Sequence, residues 1–234
     1  MPYAKRAVRG NYRKTSYAKP KQTTLQKIGN VAIKGFKIAS KIASIINSEK
    51  KFYDDYYVPT AVVVGTPMVR QITAIPQGAG DGQRNGLSIA IDSIQGKHRI
   101  VWSGTQGEMR HIIFTTKKNM AGGIPQASDI LQDASTAVTQ MVSPRSKLNR
   151  FDYDILLDEH FTQDTTKAII YKKYFHQFKM KKDSQGNRTI KHHALYTGAG
   201  SVDTSDGNIY EIWMSAGSAN PNIGGFNRVR YYDN

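Results

Sequence analysis

Seven cations near the start of the chain, Lys5, Arg6, Arg9, Arg13, Lys14, Lys19 and Lys21, are interleaved with Tyr3, Tyr12 and Tyr17. Ammonium and guanidinium groups neutralise phosphates and release counterions without reading base sequence, and tyrosine rings stack on unpaired bases. Residues 1–24 have few large aliphatic side chains. Such a segment buries too little apolar surface to offset the entropy of ordering, so the composition predicts a disordered basic arm. A solubilising tail is the plainer alternative, but charge this one-sided points to nucleic acid. Lys27, Lys34, Lys37 and Lys41 carry the same chemistry further along the chain.

The other residues with chemical potential lack a catalytic setting. Histidines stand at 98, 111, 160, 176, 192 and 193, none at the spacing of a two-His helical zinc site. The adjacent His192 and His193 fall in a predicted strand, where neighbours face opposite sides. All six are expected on strand surfaces. Asp152, Asp154, Asp158 and Glu159 form the densest acidic cluster, with the first two expected on one strand face. A hard cation such as calcium would suit them, but a solvated face near an assembly contact is the favoured reading. Gly78-Ala79-Gly80-Asp81-Gly82 is followed by strand and lacks the Gly-Lys-Ser/Thr of a phosphate loop, so it is read as a tight turn. Ser201 lacks the following glycine of a nucleophile elbow. The sequence thus predicts no enzyme, no metal site and no cofactor.

Elements must position these groups, and the charge distribution divides the chain. Residues 1–51 hold thirteen Lys and Arg against one acid, Glu49; the other 183 residues hold twenty against seventeen. The formal +15 is therefore +12 in a leader and +3 in a nearly neutral body. With no cysteine among 234 residues, stability must come from a packed core. No apolar run reaches the roughly 20 residues of a membrane-spanning helix, and the first 25 residues lack a signal peptide's apolar segment, so neither stable membrane insertion nor secretion by that route is expected.

Residues 25–51 are read as a basic amphipathic helix segment. Leu25, Ile28, Ala32, Phe36, Ala39, Ile42 and Ile46 recur at helical spacing, with the lysines on another face. Such a helix could lie on a membrane, pack against copies of itself, hold its lysines on nucleic acid, or be an ordinary core helix. From residue 52 onward the pattern is β. Short runs at 56–64, 69–74, 87–94, 98–103, 109–116, 151–157, 167–178, 189–197, 209–215 and 228–232 are separated by Gly, Pro, Asn and Asp clusters. Residues 117–149 are predicted to be a long loop with a helical turn or two, Ser128 acting as a cap.

Ile75-Pro76-Gln77-Gly78, then Gln83-Arg84-Asn85-Gly86 leading into an alternating strand, resembles the motif that opens the second strand in small viral capsid proteins of the satellite tobacco necrosis virus type and their relatives in circular Rep-encoding single-stranded DNA viruses. His111-Ile112-Ile113-Phe114, Gly123-Ile124-Pro125, Asp129-Ile130-Leu131 and Arg150-Phe151 with Ile155-Leu156-Leu157-Asp158 are similar to that family's following elements, and the likeness covers roughly residues 52–234. The resemblance implies an all-β body, an eight-stranded jelly-roll sandwich, assembled as about sixty copies in a closed T=1 icosahedral shell. It implies a coat protein of the virion that packages a single-stranded genome, DNA favoured over RNA, through the arm. About sixty arms of +12 would bring on the order of 720 positive charges to one cavity. The basic cluster also suits a host nuclear import receptor, which would place the protein in the host nucleus during assembly. The rival reading is a non-capsid protein whose β-barrel body binds single-stranded nucleic acid directly, a reading that needs aromatics and positive charge on the body.

Overall fold

The computed structural model describes residues 50–118, 123–182, 188–190, 192–197 and 205–233. The predicted arm, residues 1–24, and residues 25–49 of the segment read as an amphipathic helix, with all eleven of their named lysines and arginines, lie outside the described residues, as does Ser201.

The strands are β1 (Lys50–Ala61), β2 (Met68–Gln71), β3 (Ser88–Val101), β4 (Gln106–Thr116), β5 (Tyr153–Asp164), β6 (Ile169–Gln177), β7 (Met180–Lys182), β8 (Arg188–Ile190), β9 (His193–Leu195), β10 (Ile209–Gly217) and β11 (Asn222–Asp233). Short helices α1 (Ala127–Ile130) and α2 (Ala137–Val142) interrupt the connection from β4 to β5. One sheet runs β1-β11-β3-β6, with β9 added beside the start of β3; the second runs β2-β10-β4-β5. Strands β7 and β8 pair only with each other. With the three-residue strands β7, β8 and β9 set aside, the remaining eight run 1-8-3-6 and 2-7-4-5 in the two sheets. That is the two-Greek-key connectivity of a jelly roll, so the body is the all-β sandwich expected.

Between the sheets lie Ile72, Ile75, Ile89, Ile91, Ile94, Ile113, Ile209, Val229 and Tyr231, continued at one end by Val62, Ile100, Trp102, Met109, Trp213 and Ile223. The two outer faces differ. Ile112, Phe114, Tyr210, Ile212 and Met214 leave the second sheet on its far side and pack against Ala127, Ile130, Leu131 and Met141 of the helical excursion. Both faces of β4 and β10 are therefore buried, which is why Ile112, Ile113 and Phe114 follow one another without alternation. Arg110 fastens this cover. Its Nη1 donates to the carbonyls of Gln140 and Ser143 at 3.0 and 2.8 Å, and its other two nitrogens grip Asp158, both at 2.9 Å. Among the described residues no helix covers the outer face of the first sheet, and β6 alternates strictly between exposed and half-buried positions.

Three local expectations are corrected. Strand β1 begins at Lys50, inside the segment assigned to the helix, because the Lys51 ammonium is buried against Asp233 at 3.1 Å and the Gln83 carbonyl at 3.2 Å. The runs at 87–94 and 98–103 are one strand. Helix α1 is capped by Gln126, whose backbone N–H donates to Asp129 at 2.7 Å, rather than by Ser128.

Candidate nucleic-acid interface

Strand alternation sends every second residue of the first sheet to its outer face. The pairings align these residues in rows across β1, β11, β3 and β6: Phe52, Arg230, Ser93 and Gln177; Asp54, Arg228, Gln95 and Phe175; Tyr56, Phe226, Lys97 and Lys173. The next row joins Gly224, Arg99 and Tyr171, with Pro59 of β1 packed beside the glycine. Tyr56 is 70% exposed, Tyr171 and Phe175 60%, and Phe52 55%, so the rings stand in solvent instead of in a core.

Six cations share this face with one acid of its rows, Asp54. Arg228 grips Asp54 through two contacts of 2.6 Å while lying 4.9 Å over the Phe52 ring, and Lys50 reaches Asp92 at 3.0 Å. Lys97, Arg99, Lys173 and Arg230 have no carboxylate within salt-bridge distance among the described residues. Free cations between exposed aromatic rings are the groups that contact phosphates and stack bases in sequence-tolerant single-strand binding. Tyr171-Lys172-Lys173-Tyr174-Phe175 mixes cations with aromatic rings, and strand alternation sorts them. Tyr171, Lys173 and Phe175 point outward, whereas Lys172 turns inward to Glu159 at 3.5 Å and Tyr174 is buried between the sheets.

The acidic cluster is neutralised residue by residue. Asp152 pairs with Lys118 and Asp154 with Lys117, each at 2.6 Å, Asp158 with Arg110 and Glu159 with Lys172. Asp152 precedes β5, so it does not share a strand face with Asp154. Among the described residues no group of three or more His, Asp and Glu is placed to hold a metal ion, and no helix is long and apolar enough to cross a membrane. The glycine-dense segment is the expected turn between β2 and β3, closed by backbone bonds from Gly78 N–H to the Arg84 carbonyl and from Arg84 N–H to the Pro76 carbonyl, both 3.0 Å. Arg84, a residue of the motif that carried the family resemblance, is fully buried. Its guanidinium donates to the Ile75 and Gly86 carbonyls and lies 3.8 Å over the Tyr196 ring.

Two histidines depart from expectation. His98 and His111 are 1% and 2% exposed, and they belong to a polar cluster in the middle of the sandwich. Glu211 Oε2 accepts from His111 Nε2 at 3.2 Å and Trp213 Nε1 at 3.1 Å, and its Oε1 accepts from Asn227 Nδ2 at 2.7 Å. Asn227 Oδ1 accepts from the Tyr174 hydroxyl at 2.9 Å and from His98 Nε2 at 3.0 Å, so His98 Nδ1 is left to accept from the Tyr57 hydroxyl at 3.0 Å. Burial holds His98 down to about 4, as an imidazole already using both nitrogens in the neutral form requires. Burial pushes the Glu211 carboxyl up, but the hydrogen bond from His111, with the other imidazole and Asn227, outweighs it and leaves the carboxyl below its ordinary range. With Glu211 fully enclosed, this cluster joins the two sheets and offers no access to a substrate.

Comparison of the sequence with profiles of known protein families gives no match, and no curated protein matches it. The class of molecule is therefore defined by fold and surface: a jelly-roll sandwich with one face sheathed by helices and the other cationic and aromatic.

Proposed function

We propose that this chain is the coat protein of a small virus, self-assembling into an icosahedral shell of about sixty copies around a single-stranded genome. The observation that carries the reading is the asymmetry of the sandwich. The outer face of its first sheet presents Lys97, Arg99, Lys173 and Arg230 among exposed rings, which suits a wall facing nucleic acid. The arm cations from Lys5 to Lys21 and the lysines at 27, 34, 37 and 41 add charge that suits the same ligand, and the arm also suits a nuclear import receptor. The mechanism is binding and assembly with no covalent step. Val138 and Val142 on one side of α2, with Leu148 at 92% and Phe151 at 71% exposure, are exposed apolar side chains suited to contacts between subunits.

Sedimentation and negative-stain microscopy, with absorbance at 260 nm read on the same fractions, test the proposal. Uniform particles of about sixty copies, whose nucleic acid is lost on deletion of residues 2–24, are expected. A second reading, a non-capsid single-strand-binding protein, is favoured by the same outer face, because that face needs no shell to bind. A monomer or small oligomer in every salt and pH condition, still binding single strands through the body, would overturn the shell and establish the second reading.

A further inference from the structure

We infer that the row formed by Pro59, Gly224, Arg99 and Tyr171 is a binding site for one unpaired nucleobase and its adjoining phosphate. The inference rests on reading this sheet face as a nucleic-acid contact and assigns the position where a base enters it. Asn222 and Phe226 carry side chains on either side of Gly224, which has none, so the face dips there. A Cβ at Gly224 would lie 3.1 Å from Pro59 Cγ, and Pro59 thereby forms one wall at the glycine floor. Above this floor is a pocket of about 280 Å³ with Lys97, Arg99 and Tyr171 on its other sides. That volume is at the lower limit of ligand pockets, about 300–1,000 Å³, and suits one ring system instead of an extended ligand.

The lining fixes the chemistry. Tyr171 offers an exposed ring at the edge strand, and Arg99, its cross-strand partner, brings a planar guanidinium beside it. A flat heteroaromatic ring can stack on either, while Lys97 and Arg99 supply positive charge for the phosphate that accompanies it. Among the described residues no carboxylate lines the pocket, which disfavours a cationic ligand. Stacking accepts every base, so the site distinguishes unpaired from paired strands without reading sequence. A duplex keeps its base faces inside the stack and can engage only the surrounding cations.

The full-length chain is titrated with a labelled short oligothymidylate and with an abasic strand of equal length. Taking the ratio of the two affinities, and comparing variants with the parent chain, cancels the contribution of the arm. Tyr171→Ala is expected to lower the base-to-abasic ratio about five- to tenfold, the scale of one lost stack, with abasic affinity unchanged. Arg99→Lys keeps the charge and is expected to lower the ratio by a smaller factor. An unmoved ratio in Tyr171→Ala overturns the pocket. If Lys97→Gln with Arg230→Gln also leaves abasic affinity unmoved, the reading of the whole face falls with it. Photocrosslinking of the unaltered chain with a 5-iodouracil strand is independent of variant folding. An adduct on residues 169–177 is expected, and adducts confined to residues 1–51 overturn the assignment, as would capture of a protein partner on this row that excludes the strand.

Discussion

Asn227 of β11 donates to Glu211 of β10 across 2.7 Å, and this single bond joins the two sheets at their centre. The same amide accepts from Tyr174 and His98 through its oxygen. Asn227→Ala removes a donor from a fully buried carboxylate and strands two further donors. Breaking such a buried, charge-bearing network costs about 3–5 kcal/mol. The urea midpoint of the variant is expected to fall accordingly with an unchanged slope. A loss below about 1 kcal/mol, the net worth of one ordinary hydrogen bond, would mean that the cluster is not a structural joint.

Acid should loosen the same joint. His98 is held at about 4 in the folded chain, against an ordinary value of 6.5. The unfolded chain therefore binds the extra proton between these values, and stability falls as pH drops through this window and is fully lost from this source below about 4. A depression of this size corresponds to about 3 kcal/mol. His111, Glu211 and Arg70 face the same space, and Glu211, also held low, adds a loss at still lower pH. His98→Gln should flatten the stability profile between pH 6.5 and 4 in urea titrations. An equally steep profile in the variant would assign the acid sensitivity elsewhere.

The outer cations should be visible in salt. Each phosphate neutralised on a single strand contributes about 0.7 to the slope of log K against log salt. Lys97→Gln, Lys173→Gln and Arg230→Gln together should make that slope shallower by about 2, with little change in folding stability because none of the three has a carboxylate partner among the described residues. Equal slopes for parent and variant would show that strands bind only elsewhere on the chain.

Gly207 tests how β9 is held. Its φ of +78° is in the left-handed region, and a Cβ there would lie 1.8 Å from the His193 carbonyl oxygen. Gly207→Ala should destabilise the chain by about 1–3 kcal/mol and expose residues 192–197 to hydrogen exchange before the rest of the sheet. Uniform exchange across both sheets would show that β9 and the sandwich open as one unit.

Much of the strand inventory was legible because apolar alternation and turn residues are local signals. The division of β3 into two runs was misleading: Gly96 interrupts the pattern, yet it lies under Tyr174 and Asn227, where a Cβ would come within 2.2 Å of the tyrosine ring and 2.7 Å of the amide oxygen. The gap in the sequence is room for the polar cluster. His98 and His111 gave no sign of burial because their partners Asn227 and Glu211 are 129 and 100 residues away. The body's +3 concealed the outer face for a related reason. A net count weighs Lys117, Lys118 and Arg110 equally with Lys97 and Lys173, although the first three are neutralised by Asp154, Asp152 and Asp158.

The position of β11 has a consequence for how the chain is made. It lies between β1 and β3, and Lys51 meets Asp233 across 182 residues of sequence. On the ribosome, β1 and β3 have no common neighbour until residues 222–233 emerge, so the first sheet cannot close before then. Its rows of cations and rings come into register only when β11 is inserted, after the long loop closure that slows non-local β topologies. Before β11 has paired, the chain therefore does not present the composite surface of rings and cations.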